Sequence, residues 1–457
     1  MVEPERVYEL NGRAARPDGR YVLYWMQAAQ RPRDNPALSY ASALADGLGL
    51  PLAILFVLAD YPDAGRAHYA WMLAGLRQTA AELGKAGIAF AVARGEPREL
   101  VARAAAQAAA LVMDFSPSRW ARSRREALAA ALPVACVEVD GESLIPTRIA
   151  SPKQEWSART FRMKIAGAIG QYAAAAPLPV PRPRVPASRE LHDGLQGLVG
   201  GDDAFLDAHG PYPAAYPPSG PAAAAAALKA FVSNRLSAYG EARNDPNRDG
   251  ASGLSPYLHF GQLSPVAAAR AALAAGEAAI GGGAAAFVEQ LVVRRELCRN
   301  HAWYRPDDYD RWEGLPEWSR RSLLAHAADR RAYAYGPEAF EAAKTHDRYW
   351  NAAQRQLMRT GTMHNYMRMY WGKMILAWSR DPREAFRTAV YLNDRYALDG
   401  RDPDGWAGVG WCFGLHDRPW PERPVFGTVR AMAASGLKRK FDPEAYARRW
   451  LTDEFAF

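Results

Sequence analysis

An α/β amino-terminal part built on a doubly wound parallel sheet, followed by a larger all-α part, is the fold class this sequence predicts. Three observations lead there. Short apolar runs alternate with helical patterns over roughly the first 175 residues, a stretch from 176 to 221 is crowded with proline and glycine, and from 222 to 446 the periodicity is helical with almost no strand-like alternation.

Taken in order, the runs at 21–25, 52–58, 88–92, 111–113 and 134–139 are rich in β-branched, aromatic and leucine side chains and are separated by helical patterns. They read as parallel strands whose carboxyl edge is the expected ligand site. No G-x-G-x-x-G or G-x-x-x-x-G-K-[ST] loop is present, and Gly408-Val409-Gly410 is followed by the wrong spacing. Residues 176–221 carry Pro177, Pro179, Pro181, Pro183 and Pro186, then Pro211, Pro213, Pro217, Pro218 and Pro221, which excludes long helices and central strands and reads as a surface linker. Beyond it, Ser264-Pro265, Asp381-Pro382 and Asp442-Pro443 are cap-plus-proline helix starts. The expected division is therefore 1–175, 176–221 and 222–457, without internal repeats.

With 457 residues, 49% of them hydrophobic, the chain has enough apolar material for two or more cores. Its three cysteines, Cys136, Cys298 and Cys412, make no C-x-x-C pair and predict neither a disulfide framework nor a zinc site, which fits a reducing cytoplasm. The acidic start Met1-Val2-Glu3-Pro4-Glu5 is not that of a signal peptide, and the apolar runs are strand-sized, so neither export nor a membrane is expected. Lys and Arg outnumber Asp and Glu by 57 to 49, an excess that attracts a polyanion or is simply a solvated surface. Fourteen Trp and 21 Tyr suit stacking on bases or on a flat cofactor, and equally suit a core.

Three segments of the helical part stand out. Tyr239, Asn244 and the Gly- and Ser-rich turn at 249–261 would expose backbone N–H groups and hydroxyls to a pyrophosphate, or serve as a plain helix cap. Trp350 and the stretch 362–378 hold Trp371 and Trp378, which at seven residues apart share a helix face about 10 Å apart, suited to relaying electrons or to packing. The polar stretch 391–403, followed by Trp411 and Gly414-Leu415-His416-Asp417, is organised around a ligand or around its own salt bridges. No H-E-x-x-H or G-x-S-x-G signature competes with these.

In order and spacing these segments resemble the class II cyclobutane pyrimidine dimer DNA photolyases, within the photolyase/cryptochrome family, over most of the chain. Further matches carry the resemblance: Tyr24-Trp25-Met26-Gln27, Asp34-Asn35, Asp114-Phe115-Ser116-Pro117 and Lys153-Gln154-Glu155, then Arg294-Arg295-Glu296-Leu297, Lys344-Thr345-His346-Asp347 and Arg423-Pro424-Val425-Phe426-Gly427. The resemblance implies a Rossmann-like first domain and FAD held in a U shape by the helical domain. Tyr239, Ala251, Ser252, Gly253, Leu254 and Ser255 would lie on its phosphates, with Arg295 nearby, Asp399 and Asp402 along its length, Asn393 at the reactive ring nitrogen and Asp417 in support. Trp371, Trp350 and Trp378 would form the electron chain that photoreduces it. Asn244, Met369 and Trp411 would contact a dimer flipped out of ultraviolet-damaged DNA, opened by one electron from excited reduced flavin. An antenna chromophore is implied for the first domain, a deazaflavin before a folate, with an empty site as the third case. A cytoplasmic monomer without metal completes the expectation.

Two positions depart from the family pattern. Where members carry two adjacent carboxylates at the dimer, this chain has Glu289 followed by Gln290, an amide that donates a hydrogen bond but supplies neither proton nor charge. Pro36 replaces the aromatic that follows Asp34-Asn35. The alternative reading is a cryptochrome-like photoreceptor without repair activity: Gln290 leans toward it, and the lack of a long tail after Lys438-Arg439-Lys440 leans against it. A third reading, an α/β nucleotide-binding module fused to a helical interaction domain, would be excluded by flavin absorbance.

Overall fold

In the strand Tyr21–Met26, even-numbered side chains enter one core and odd-numbered ones another, so the sheet is buried on both faces. The computed structural model describes residues 2–61, 63–198, 212–276 and 282–452. Its strands are β1 (Val7–Glu9), β2 (Tyr21–Met26), β3 (Leu52–Leu58), β4 (Ala89–Arg94), β5 (Ala108–Asp114) and β6 (Ala135–Val139), in the order β1-β6-β5-β2-β3-β4. β2 to β6 are parallel, with Trp25 level with Leu55 and with Met113, and β1 adds an antiparallel edge. The five long strands are those expected, in a doubly wound order that switches direction between β2 and β5. β1 is additional, a three-residue edge whose pattern is too short to read from sequence.

The switch point is closed by the chain itself. Asp114 ends β5, and its carboxylate accepts the backbone N–H groups of Gln27, Ala28 and Ala29 at 2.8–3.0 Å and the Tyr24 hydroxyl at 2.7 Å. Nearby, Asn35 caps the helix Pro36–Leu48 through the Leu38 N–H, and Pro36 occupies its first turn, where a missing N–H costs nothing. The departure at Pro36 thus serves as a helix start.

The proline-rich stretch is bonded to the first part of the chain: Leu178 and Asp34 bond one another, Arg184 donates to Asp46 and Ala187 to Gly87. It also contains a helix, Arg189–Leu198, whose Leu195 is buried on the odd-numbered face of the sheet. That ten-residue helix fits between the two proline clusters, because between Pro186 and Pro211 no proline interrupts it. Pro211 and the rest of 199–211 lie outside the described residues.

The even-numbered face shares one continuous core with the helices that follow, including Phe231, Tyr257, Leu258 and Leu291. Two contacts pin the seam. Buried Glu296 accepts the Leu144 and Ile145 N–H groups, while Asn300 donates to the Lys153 carbonyl and accepts the Glu155 N–H. Gly261, at φ +63°, packs so closely that a Cβ there would lie 1.6 Å from the Ala28 carbonyl oxygen. Gly261→Ala is accordingly expected to cost at least about 3 kcal/mol, seen as a lower urea midpoint or loss of soluble protein, because both the left-handed backbone and the contact forbid a side chain.

Candidate active site

Three chain segments far apart in sequence meet at one cleft of about 140 Å³, lined by Tyr239, Ser252, Ser255, Leu258, His259, Phe287, Gln290, Leu291, Arg295, Asp399, Asp402 and Asp404. The first is the turn entering the short helix Ser255–His259. Gly250 lets it pass under Ala242, where a Cβ would come within 2.4 Å of the backbone, and Gly253 takes φ +70°. Below it, Tyr239 packs against Phe231 and Phe287 with ring centroids 5.3 and 5.7 Å away.

The second segment is the loop 397–403. Asp394 organises it, accepting the Arg401 N–H at 2.8 Å, the Trp406 indole N–H at 2.8 Å and the Asn393 amide at 3.0 Å. Asp399 is ion-paired with Arg368 at 2.9 Å. Burial opposes its ionisation, but the Arg368 charge and the Ser255 and Arg368 hydrogen bonds outweigh it and hold the carboxyl below its usual range. Asp402 caps the helix Pro403–Cys412 with one oxygen and turns the other to His259 Nδ1 at 3.3 Å. Burial raises its pKa, yet the imidazole and Arg295 bring it down to about 2.

A carboxyl so depressed contributes stability above its ordinary value near 3.8 and loses it as the pH falls toward about 2. Asp402→Asn is therefore expected to lower unfolding free energy by about 2 kcal/mol at pH 5, with the gap to the parent narrowing by pH 3 in urea titrations.

The third segment is one long helical run in which residues Glu289–Arg294 wind as π-helix before the α-helix Arg295–Tyr304. Such an expanded turn re-aims side chains at functional sites. Here it brings Gln290 and Arg295 to the cleft, while Glu296, Arg299 and Asn300 face the first domain. Arg295 is 8% exposed and donates to the Glu142 carbonyl at 2.9 Å.

Of the anticipated cofactor residues, Tyr239, Ser252, Ser255, Arg295, Asp399 and Asp402 line the cleft, together with Gln290 from the anticipated substrate pair. Ala251 and Gly253 stand exposed in the turn and Leu254 is buried beneath it. Asn393 is buried beside the loop, its amide 3.0 Å from where a Gly405 Cβ would sit. Asp417 lies elsewhere, receiving the Arg418 N–H and the Trp420 indole N–H. Asn244 is exposed in a turn, and the Met369 carbonyl accepts from Cys412. Glu289 is bound by Arg162 at 2.6 and 2.9 Å and by Arg294 at 3.2 Å, and Arg294 sits over the Trp411 ring at 5.1 Å. His259, Asp404, Leu258, Phe287 and Leu291 were not anticipated as lining residues, although His259 lies within the turn that drew attention.

The three tryptophans form one array. Trp350, on the helix Arg348–Thr360, is stacked at 6.4 Å and 5° on Trp371 and meets Trp378 at 6.4 Å and 65°; it is fully buried. Ring contacts continue from Trp378 to His346 at 4.7 Å and Tyr335 at 6.1 Å, then to Tyr333, which is 46% exposed. Arg368, one turn before Trp371 on the same helix, ties this array to the cleft through Asp399.

A second cavity, of about 210 Å³, opens at the carboxyl ends of β2 and β3, with Trp25, Phe56, Tyr61, Tyr69, Trp120 and Arg401 among its walls. His259 lines both cavities. Among the described residues no group of three or more His, Cys, Asp or Glu is arranged to hold a metal ion, and no helix is long and apolar enough to cross a membrane.

Comparison with known proteins gives concordant results. The DNA photolyase family profile matches residues 22–184. The deoxyribodipyrimidine photo-lyase of Methanothermobacter thermautotrophicus is 41% identical over 453 residues, covering 98% of this chain and 98% of its own. That of Oryza sativa subsp. japonica is 41% identical, covering 96% of this chain and 89% of its own. Among solved structures, a class III photolyase from Agrobacterium tumefaciens has a TM-score of 0.70 at 21% identity, covering 95% of this chain and 86% of its own. A cryptochrome from Synechocystis has a TM-score of 0.72 at 16% identity, covering 94% and 88%.

Proposed function

Since this chain belongs to the DNA photolyase family, we infer that it is a light-dependent lyase that splits cyclobutane pyrimidine dimers in ultraviolet-damaged DNA, with FAD as its cofactor. The observation that carries this reading is the cleft itself. Its hydroxyls, from Tyr239, Ser252 and Ser255, and the Arg295 guanidinium suit a pyrophosphate. Asp399 and Asp402 offer acceptors to sugar hydroxyls, and Leu258, Phe287 and Leu291 supply an apolar wall for a ring system. The donor set thus fits FAD. The chemistry reduced FAD supplies there is donation of one electron on illumination, returned once the dimer ring has opened.

The chain's own groups do the rest. Trp411, held under Arg294, offers a flat wall to an extruded dimer, whose poor stacking makes extrusion cheaper than for a normal pair. Glu289 is already committed to Arg162 and Arg294, so the amide of Gln290 is the group of that pair left to hydrogen-bond dimer carbonyls from the cleft wall. Trp371, Trp350 and Trp378 would pass electrons inward from the surface, and Asn393, buried beside the loop that lines the cleft, would help to hold the flavin. Class II membership, the division into an antenna domain at 1–175 and a flavin domain at 222–457, and a cytoplasmic location belong to the same proposal. The aromatic cavity at the β2 and β3 ends is the seat of a flat antenna, a deazaflavin in preference to a folate, and His259 as a shared wall keeps that seat next to the cleft.

The test is to mix the reduced, FAD-bound protein with DNA containing thymine dimers, illuminate with blue light and follow the return of thymine absorbance against a dark control. Light-dependent recovery is expected. Flavin that is bound and photoreduced without any return of thymine would favour the photoreceptor reading, to which Gln290 leans.

A further inference from the structure

Trp156 and Met163 are 65% and 68% exposed, the two most exposed large apolar side chains among the described residues. They lie in one stretch of chain with exposed Lys153, Arg159, Arg162 and Lys164, on and just before the helix Ala158–Ala173, whose Phe161 and Ile165 are buried in the core. Of the four cations Arg162 is ion-paired, with Glu289. Leaving a tryptophan and a methionine in water among cations stabilises nothing in the fold, and such a patch marks a contact with something else.

Two connections join this face to the surroundings of Trp411. The Trp156 carbonyl lies 3.1 Å from His416 Nδ1, in the turn that follows the Trp411 helix, and Gln154 bonds His301, whose ring meets that of His416 at 5.4 Å. Arg162 shares the Glu289 carboxylate with Arg294, and Arg294 covers Trp411. The patch therefore continues the rim of the dimer site outward onto the first domain.

We propose that the Trp156 and Met163 face is a docking surface for the DNA flanking the dimer, with Lys153, Arg159 and Lys164 on its phosphates. The inference rests on the repair reading above and adds a contact on the first domain. Extruding a dimer leaves neighbouring bases with an uncovered face, and an exposed indole covers it without regard to sequence. Arg159 and Lys164 on the exposed side of the helix, and Lys153 just before it, hold the backbone in register.

Two variants test it, Trp156→Ala and the pair Arg159→Glu with Lys164→Glu, all at exposed positions outside the cleft. Binding is measured to a minimal single-stranded oligonucleotide holding little beyond the dimer and to a longer dimer-containing duplex. Trp156→Ala is expected to weaken duplex binding about tenfold. The charge reversal should weaken it too and flatten its salt dependence by roughly one unit of slope per cation removed. Binding of the minimal oligonucleotide, flavin content and repair at saturating duplex stay at parent levels. Duplex binding unchanged in both variants overturns the proposal and leaves the patch to a protein partner, and equal weakening of both ligands overturns it by placing the effect in the pocket. A parent protein that binds duplex but returns no thymine defeats the repair reading alone, since the duplex arm still reads the two variants.

Discussion

Arg295→Ala is expected to yield protein that folds but retains almost no flavin, with the ratio of absorbance near 450 nm to that at 280 nm close to background. Arg295 is the only Arg or Lys among the residues lining the cleft, facing Asp399, Asp402 and Asp404. Removing it deletes a charge-assisted hydrogen bond to a pyrophosphate and leaves the three aspartates of the wall without a cation among the lining residues, together about 3–4 kcal/mol and hence several hundredfold in affinity. Arg295→Lys keeps the charge and loses the fork, so a smaller loss, about tenfold, is expected. Flavin titration of the two variants separates them. If Arg295→Ala retains flavin like the parent, the pyrophosphate does not lie against this residue.

Trp350→Phe should abolish photoreduction of oxidised flavin by an external thiol while leaving dimer repair intact in protein reduced chemically beforehand. The stacked ring is the only one touching both Trp371 and Trp378 in the array, and phenylalanine fills much of the space without indole's ease of oxidation. Loss of the indole hydrogen bond to the Trp371 carbonyl costs about 1 kcal/mol, which a buried core of this size tolerates. Transient absorption gives the answer: an undiminished radical signal on Trp378 would show that electrons take another route.

The strands were legible because β2, β3 and β5 are buried along their whole length, so the sequence shows uninterrupted apolar runs. β1 carried no such signal, and the helix Arg189–Leu198 was masked by the prolines on either side. At the site, Ser252 and Ser255 announced themselves through glycine and serine in one turn, and Asp399 and Asp402 through a polar loop. Their meeting was implied by the family resemblance alone and not by local pattern, because it depends on the π-helical turn at Glu289–Arg294 and on residues about 150 positions apart folding onto one wall. Nor did anything local reveal that Glu289 is claimed by Arg162, 127 residues away, or that the tryptophans lead on to His346 and Tyr333.

In many doubly wound sheets the crevice at the switch point welcomes a phosphate, because amide groups converge there with nothing to bind. Here Asp114 is a built-in tenant: one covalently supplied anion, delivered by the strand next door, satisfies three amides and a phenol at once. The sheet keeps the geometry of a nucleotide binder but has no anion site left to let. The cavity at this edge lies one strand over, against β3, where the walls are mainly rings with Arg401 among them, so the flat guest proposed above would be recognised there by shape and stacking more than by converging amides.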